Sequence, residues 1–326
     1  MRPRPAEDHL TRGTGGALIR ASWFCGPLEF ATTEQRQLRR AHRTAGQDRA
    51  WIGGNTSAVS TVRDLNADEI TPGGLRRQMR SGEWRLPTAG LAPGFAQTNL
   101  VVLPRELAYD FLVFCHRNPK PCPLIDVTEP GNPEPAHAAP GADLRTDLPK
   151  YRVYRRGQVE AEETEITRYW RADLVAFLLG CSFTFETAMR RAGLAVRHLE
   201  DGCNAAMYTT SIPCRGAGAL HGPLVVTMRP LRPEAIGRAV LVTGRYPRAH
   251  GAPVHIGDPA AIGIRDLTRP DFGDVPRIEA GEVPVFWACG VTPQAVAQAA
   301  KVELMITHAP GHMFITDLLD EDLAAG

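Results

Sequence analysis

Short apolar runs separated by glycine and proline alternate with amphipathic stretches along most of the chain. Apolar, largely β-branched runs predict buried strands at 99–103, 124–127, 151–154, 224–228, 285–288 and 304–307, with 159–165 forming a hairpin with 151–154 across Gly157. Helical spacing predicts helices at 65–80, 106–117, 173–179, 184–191, 233–238 and 293–301. A further strand is expected at 239–243. Because strands and helices alternate, the pattern predicts a mixed α/β fold.

The first 66 residues differ from the rest of the chain. They are rich in arginine, contain scattered glycines and show poor hydrophobic periodicity, with only a short helix predicted at 33–44. Acidic residues among them, such as Glu7 and Glu29, are atypical of an organellar targeting peptide. We expect 1–66 to be a poorly ordered or non-native leader. We expect 67–326 to form the functional region of the chain, with a smaller subdomain inserted at about 130–225.

Composition excludes several classes of protein. The 326 residues carry a formal net charge of +1, which argues against a dedicated nucleic-acid binder. The longest nearly apolar stretch, 174–185, is well short of the roughly 20 residues that span a membrane. The cysteines are odd in number, seven, and form no CxxC pair, which indicates free thiols in a reducing, cytoplasmic compartment.

A series of ordered sequence blocks carries a family resemblance. The blocks are PTAGLAPG at 87–94, QTNL at 97–100, RNPKPCPL at 117–124, VTEPG at 127–131, GADLRTDLP at 141–149, FLLGCSF at 177–183, IPCR at 212–215, HGPLV at 221–225, HGAPVHIGDP at 250–259, FWACGVTP at 286–293 and THAPGHM at 307–313. Over about 67–317 the chain resembles the D-glutamate cyclase family, whose bacterial members are often labelled hydro-lyases. The resemblance implies a larger three-layer α/β piece with a smaller α+β subdomain, and dehydration of D-glutamate to 5-oxo-D-proline.

The implied reaction sets chemical requirements. Joining the α-amine of glutamate to its γ-carboxyl group expels water, and both reacting groups belong to one molecule. A base must take a proton from the ammonium, and an acid, dipole or metal must polarise the carboxyl group. An arginine suits the α-carboxylate. No organic cofactor is required, and a divalent metal is left open.

The candidate substrate-binding residues are polar groups near turns. Arg145, within Asp143-Leu-Arg-Thr-Asp147, is the first choice for a carboxylate clamp, and Arg215 is the second. The alternative for Arg145 is a surface ion pair with Asp143 or Asp147. Asp258 completes this group of candidates.

The catalytic candidates lie beside glycine, proline or a predicted helix start. They are His221, His255, His308, His312, Glu186, Ser182 and Cys181. Imidazole suits deprotonation of an ammonium, and Ser182 is expected to cap the helix that begins after it. The alternatives are structural: hydrogen-bonding histidines, a simple cap and a small buried thiol.

His308 and His312 have the spacing of two metal ligands on a helix, but Pro310 and Gly311 indicate a loop. If a divalent metal binds there, Asp258 or Asp317 would supply oxygen.

Three functions remain open from the sequence. The first is a lyase acting on a small amino or hydroxy dicarboxylic acid, with D-glutamate as the best single substrate. The others are a metal-dependent hydrolase or isomerase of a small acid, and a non-catalytic protein that binds 5-oxoproline. The expected partner is a small molecule, with no nucleic acid and no membrane, and a homo-oligomer is left open. We expect Arg145, Ser182, Arg215, His255 and His312 to surround one pocket.

Overall fold

The computed structural model describes residues 71–325. The leader expected at 1–66 and the helix predicted at 33–44 lie outside these residues. The described part is a mixed α/β fold with two antiparallel sheets, which confirms the predicted class. No helix in it has the length and apolar character needed to cross a membrane.

Residues 71–325 contain α-helices and, besides them, short 3₁₀ turns. The α-helices are α1 (Pro72–Ser81), α2 (Arg105–Arg117), α3 (Phe183–Arg191), α4 (Arg197–Glu200), α5 (Pro233–Gly244) and α6 (Thr292–Ala299). Thr71 caps α1 by accepting a hydrogen bond from Gly74 N, and Pro72 occupies the first turn. This start agrees with the one predicted from Thr71-Pro72.

Eleven strands lie within residues 71–325. They are β1 (Phe95–Pro104), β2 (Leu124–Val127), β3 (Tyr151–Arg155), β4 (Gln158–Glu163), β5 (Leu174–Gly180), β6 (Met207–Pro213), β7 (Pro223–Leu231), β8 (His255–Ile256), β9 (Val283–Ala288), β10 (Leu304–His308) and β11 (Phe314–Leu319). The strands predicted from apolar runs are confirmed, and β3 and β4 form the predicted hairpin.

The larger sheet has seven strands in the order β2–β5–β1–β10–β3–β4, with β11 also paired to β1. One edge of β1 pairs with β5, from Thr98 opposite Gly180 onward. Its other edge pairs first with β11 and then with β10. The connection at 309–313, between β10 and β11, therefore passes beside the middle of β1.

Both faces of the central strands β1, β5 and β10 are buried. Leu100 and Val102 of β1 belong to one apolar cluster, which includes the segment around 138–148. Val101 and Leu103 belong to the opposite cluster, which includes side chains of α2 and α6. Period-two alternation thus sends successive residues of one strand into two cores, and the strand reads as continuously apolar.

The smaller sheet has the strand order β6–β7–β9–β8. Val285 and Trp287 of β9 pack with α3 and α5 on one face. Phe286 and Ala288 pack on the other face, against β6, β7 and the 3₁₀ turn at Pro259–Ile262. The second face is therefore covered mainly by loops, while helices cover the first.

Two predicted elements are wrong. The helix expected at 173–179 is strand β5, because its apolar run is buried on both faces between β1 and β2. The strand expected at 239–243 belongs to α5, which continues to Gly244 and buries Ala239 and Thr243. Strands β6 and β11 were not predicted, because their polar residues interrupt the apolar pattern.

Gly180 marks a close approach between the end of β5 and the chain near Arg248. A Cβ atom at Gly180 would lie 1.7 Å from the carbonyl oxygen of Arg248. We expect Gly180→Ala to lower the free energy of unfolding by about 3 kcal/mol, because backbone must move on both sides. Denaturant unfolding measures the change.

The matched control is Gly237→Ala in α5, where nothing lies within 4 Å of the added carbon. It is expected to stabilise the protein by about 0.5–1 kcal/mol through helix propensity. Equal stability of the two variants would show that the contact at Gly180 relaxes freely.

Candidate active site

Arg229 is a fully buried arginine in the middle of β7, with 1% of its surface exposed. Its guanidinium carbon lies 5.4 Å from the ring centres of both Phe185 and Trp287. Nη2 donates hydrogen bonds to Ser182 Oγ, at 3.0 Å, and to Glu186 Oε1. Nε and Nη1 are buried and have no hydrogen-bond partner among the described residues. A buried cation with two free N–H positions is suited to an anionic ligand.

Glu186 supplies the negative charge that faces Arg229. It lies in the first turn of α3 and is 3% exposed. Its Oε1 also lies 3.2 Å from Nε2 of His198 in α4, and its Oε2 has no hydrogen-bond partner within the described part of the chain. Burial by itself would raise the pKa of Glu186, but the charges of His198 and Arg229 more than offset this and hold the pKa below its ordinary value. Glu186 is therefore a carboxylate at neutral pH.

Ser182 precedes α3 but does not cap it with its side chain. Its backbone is helical, and no N–H of the first turn donates to its hydroxyl. The hydroxyl accepts from Arg229 instead. The expected cap is therefore wrong, because the buried guanidinium is the donor that the hydroxyl meets.

We call Arg229, Glu186, His198 and Ser182 the Arg229 cluster. Two clefts border it. One is a narrow cleft lined by Glu186, the segment 90–95, Gln97 and Asp320. The other is also narrow and is lined by His198, Arg229 and Asn204. A residue lining each cleft also has a buried oxygen, Gln97 Oε1 in one and Asn204 Oδ1 in the other, that accepts no hydrogen bond from residues 71–325.

Hydrogen bonds tie the two clefts to the loop at 309–313. Gln97 Nε2 donates to the Thr88 carbonyl at 2.9 Å, and Thr88 N donates to the Gly311 carbonyl at 2.8 Å. Asn204 Nδ2 donates to the Pro310 carbonyl at 3.2 Å. The blocks around 87–97 and 307–313 thus meet beside the Arg229 cluster.

His308 and His312 lie at the two ends of this connection. β10 ends at His308, and the following residues form a turn, so the predicted loop is confirmed. Leu100 N donates to His308 Nδ1 at 3.2 Å, and His308 Nε2 is buried without a partner. Burial lowers the pKa of His308 to about 4 and also lowers that of His312. Both imidazoles are neutral at pH 7.

The sequence leaves a divalent metal site open, which requires side chains among the described residues that could ligate a metal ion. Within residues 71–325, no set of three or more His, Cys, Asp or Glu side chains is arranged to hold a metal ion. A role for a metal therefore stays a matter for experiment.

Other sequence candidates have separate partners. Arg145 donates to Asp143 at 2.7 Å, which is the ion pair that its spacing suggested as an alternative. Arg215 is exposed, and its backbone N donates to Asn118. His255 Nε2 lies 2.7 Å from the carbonyl oxygen of Asp258, whose side chain caps the turn at Pro259–Ile262.

Of the seven catalytic candidates, the structure joins Ser182 and Glu186 through Arg229. Cys181 precedes Ser182 in the chain, and His308 and His312 flank the adjoining loop. His221 is exposed. The catalytic and binding roles of all these residues remain predictions.

Sequence reasoning missed Arg229, His198 and Asp320. A signal existed for Arg229, since an arginine inside the apolar run of β7 needs a buried partner. His198 and Asp320 follow loops or strand ends with ordinary polar neighbours, and no spacing pattern distinguishes them.

The carboxyl group of Asp320 has a pKa close to neutral pH. Asp320 is 7% exposed, its Oδ1 has no partner, and burial raises its pKa to about 7. Between pH 4 and 7 the carboxyl group of Asp320 is therefore protonated in the folded protein and ionised in the unfolded chain. The free energy of unfolding falls as pH rises through this range. We expect Asp320→Asn to be about 2 kcal/mol more stable than wild type at pH 8 and equal to it at pH 4.

Thermal unfolding at the two pH values tests this expectation. Glu321→Gln is the control, because Glu321 is exposed in the same turn. A stability difference for Asp320→Asn that does not change with pH would contradict the raised pKa.

A family profile and several known proteins match the sequence of this chain. The profile of the D-glutamate cyclase family matches residues 175–317. A relative from Stutzerimonas stutzeri, named as a candidate hydro-lyase, is 62% identical over 78% of this chain and 96% of its own. Relatives with the same kind of name from Thermoanaerobacter and Bacillus subtilis are 61% and 58% identical, over 80% and 78% of this chain and 98% and 99% of theirs.

A solved structure of a nitrogen repressor-like protein from Methanococcus jannaschii covers 72% of this chain and 90% of that one, at a TM-score of 0.32 and 8% identity, a likeness too low to establish a shared fold. The sequence relatives establish the family, because the similarity extends over nearly their whole lengths. The chain belongs to the D-glutamate cyclase family.

Proposed function

We propose that this chain is a hydro-lyase that converts D-glutamate into 5-oxo-D-proline, with the Arg229 cluster as its active site. The observation that carries the proposal is the buried guanidinium of Arg229, which lines one of the two clefts and whose Nε and Nη1 have no hydrogen-bond partner among residues 71–325. Beside it, Glu186 offers a free carboxylate oxygen. A dicarboxylic amino acid has the complementary groups, two anions and one cation.

Arg229 has the role of the carboxylate clamp in this proposal. Its N–H groups are buried and already oriented by Glu186, Ser182 and two aromatic rings, so binding an anion needs little rearrangement. The guanidinium of Arg145, the first choice from the sequence, donates hydrogen bonds to the carboxylate of Asp143. Arg229 therefore fits the role better than Arg145.

Cyclisation must move two protons from the ammonium to the departing oxygen. The amine nitrogen forms a bond to the carbon of the γ-carboxyl group while one carbon–oxygen bond of that group breaks, and the released oxygen leaves as water. Glu186 is suited to bind the ammonium through Oε2. Asp320 lines the same cleft, and a pKa of about 7 matches a group that accepts and returns protons at neutral pH.

Turnover assays test the proposal directly. Purified protein is incubated with D-glutamate or L-glutamate, with a chelator or with added divalent metal, and 5-oxoproline is measured by mass spectrometry. We expect lactam from the D-isomer alone, at a rate that the chelator does not change. Activity that requires metal would favour the metal-dependent hydrolase or isomerase. Tight binding of 5-oxoproline without turnover would favour a binding protein.

The cellular location is part of the proposal. Six cysteines are free within residues 71–325, which is the state expected in the reducing cytoplasm. Reduced thiols in protein isolated from cells under alkylating conditions would support this location, and disulfides would contradict it.

A further inference from the structure

Three buried oxygen atoms without hydrogen-bond partners belong to residues that line one cleft. The cleft is the narrow one that includes the segment 90–95, and we call it the oxygen cleft. Its unpaired oxygens are Gln97 Oε1, Glu186 Oε2 and Asp320 Oδ1, none of which accepts a hydrogen bond from residues 71–325. Each of these residues is 7% exposed or less. Because buried polar atoms nearly always have a partner, three unpaired acceptors in one lining indicate that the cleft receives a donor group.

The amide of Gln97 is fixed in orientation by the loop that precedes β1. Its Nε2 donates to the carbonyl oxygens of Thr88, at 2.9 Å, and of Leu91, at 3.0 Å. Both N–H groups of the amide are therefore used, and a reversed amide would set its oxygen against these two carbonyl oxygens. Oε1 is left as an acceptor, and Leu91 itself lines the oxygen cleft.

Two further elements supply the other oxygens and are fastened to β1. Glu186 lies in the first turn of α3, and Gln97 N donates to Thr184 Oγ1 of the same helix at 3.3 Å. Asp320 begins the 3₁₀ turn after β11, and its N donates to the Gly94 carbonyl at 3.0 Å. Hydrogen bonds to the start of β1 and to the residue before it thus hold both elements in place, so the acceptors are positioned before a ligand binds.

The charges along the oxygen cleft favour a cation. Two acidic residues, Glu186 and Asp320, and one basic residue, Arg190, line it. The other carboxylate oxygen of Glu186, Oε1, accepts a hydrogen bond from Arg229, so the oxygen cleft adjoins the guanidinium that the proposed function assigns to a carboxylate. The two positions together suit a molecule that carries a cation beside an anion, as an amino acid does.

We propose that the oxygen cleft binds the ammonium group of the substrate and that Gln97 is a specificity-determining residue, which selects a primary ammonium over a hydroxyl group. The inference rests on the proposed function, because it concerns the same bound amino acid. A primary ammonium has three N–H donors, and the oxygen cleft offers three acceptors. A hydroxyl group has one donor and leaves two of the buried oxygens unpaired, which weakens binding.

Ligand selectivity tests the inference. D-Glutamate and (R)-2-hydroxyglutarate differ only in the group on Cα. With the full-length protein, lactam formation gives KM for D-glutamate, and inhibition of that reaction gives Ki for the hydroxy acid. We expect Ki to exceed KM by about 100-fold or more in wild type, and Gln97→Met to lower this ratio by about tenfold. The methionine keeps the length of the side chain but removes one acceptor.

Gln294→Met is the matched control. Gln294 of α6 is as buried as Gln97, but both ends of its amide are paired. Tyr154 Oη donates to its Oε1 at 2.8 Å, and its Nε2 donates to the His308 carbonyl at 3.1 Å. We expect Gln294→Met to affect folding and to leave the ratio of Ki to KM within about twofold of wild type. An equal fall of the ratio in both variants would overturn the role of Gln97.

A second ligand keeps the test independent of any variant. N-Methyl-D-glutamate retains the charge but has two N–H donors, and we expect it to bind wild type about tenfold or more weakly than D-glutamate. If Gln97→Met is unfolded by thermal denaturation, this comparison decides, and equal binding of the two amines overturns the inference.

The outcomes separate the two proposals. Wild type that forms lactam but binds D-glutamate and the hydroxy acid equally overturns the ammonium cleft alone. Wild type that forms no lactam overturns the proposed function, and calorimetry then gives Kd for the same two ligands. A preference of about 100-fold for D-glutamate would still support the oxygen cleft, and no preference would overturn both proposals.

Discussion

Replacing Arg229 with lysine is expected to lower kcat/KM for lactam formation by about 10²–10³-fold. The guanidinium contacts Ser182 and Glu186 through Nη2 while Nε and Nη1 remain free for a ligand. An ammonium on a flexible stem keeps the charge but cannot direct donors to all of these positions. Its shape also fits poorly between the rings of Phe185 and Trp287. Steady-state formation of 5-oxoproline measures the loss.

The control for this substitution is Arg232→Lys. Arg232 is exposed and precedes α5, three residues beyond Arg229 in the chain. We expect its kcat/KM to stay within twofold of wild type. An Arg229→Lys variant that stays folded and retains wild-type kcat/KM would remove Arg229 from the active site.

Replacing Glu186 with glutamine is expected to lower the free energy of unfolding at pH 7 by about 3 kcal/mol. The amide keeps the shape of the carboxyl group but removes the charge that compensates buried Arg229. Breaking one partner of a buried ion pair leaves the other charge without compensation, and that cost exceeds the loss of an ordinary hydrogen bond. Urea unfolding followed by circular dichroism measures it.

The pH dependence of this variant follows from the direction of the pKa shift. The folded-state pKa of Glu186 is below its ordinary value, so its stabilising contribution is complete above the ordinary value. It is lost as pH falls through the folded-state pKa. The difference between wild type and Glu186→Gln should therefore narrow in acid. A difference that stays constant in acid would contradict the lowered pKa.

A double-mutant cycle separates the pair from its surroundings. Glu186→Leu together with Arg229→Met should cost less than the sum of the two single substitutions, because no buried charge is left without a partner. Additive losses would mean that the two side chains do not stabilise each other.

The local pattern of apolar residues predicted most of the strands correctly and gave the wrong type for two elements. Runs such as 99–103 and 304–307 are β-branched and bounded by turns, and they became β1 and β10. The run at 173–179 is equally apolar but was assigned to a helix, because a strand buried on both faces has no alternation to reveal it. The interior of α5 shows the reverse case, since β-branched residues follow one another within a helix.

The candidate site was only partly predictable for a similar reason. Glu186 and Ser182 were found because they flank a glycine-bounded helix start. The residue that joins them, Arg229, lies 43 positions from Glu186 along the chain, in strand β7 of the smaller sheet. Its importance depends on burial and on the absence of partners for Nε and Nη1, which no local spacing encodes.

Parallel turnover of D-glutamate by wild type and Arg229→Lys, in the presence of a chelator, tests the central claim most directly. We predict that wild type forms 5-oxo-D-proline and that the folded variant loses about 10²-fold or more of the rate. Absence of lactam from wild type under every metal condition, or wild-type turnover by the variant, would contradict the assignment of D-glutamate cyclisation to the Arg229 cluster.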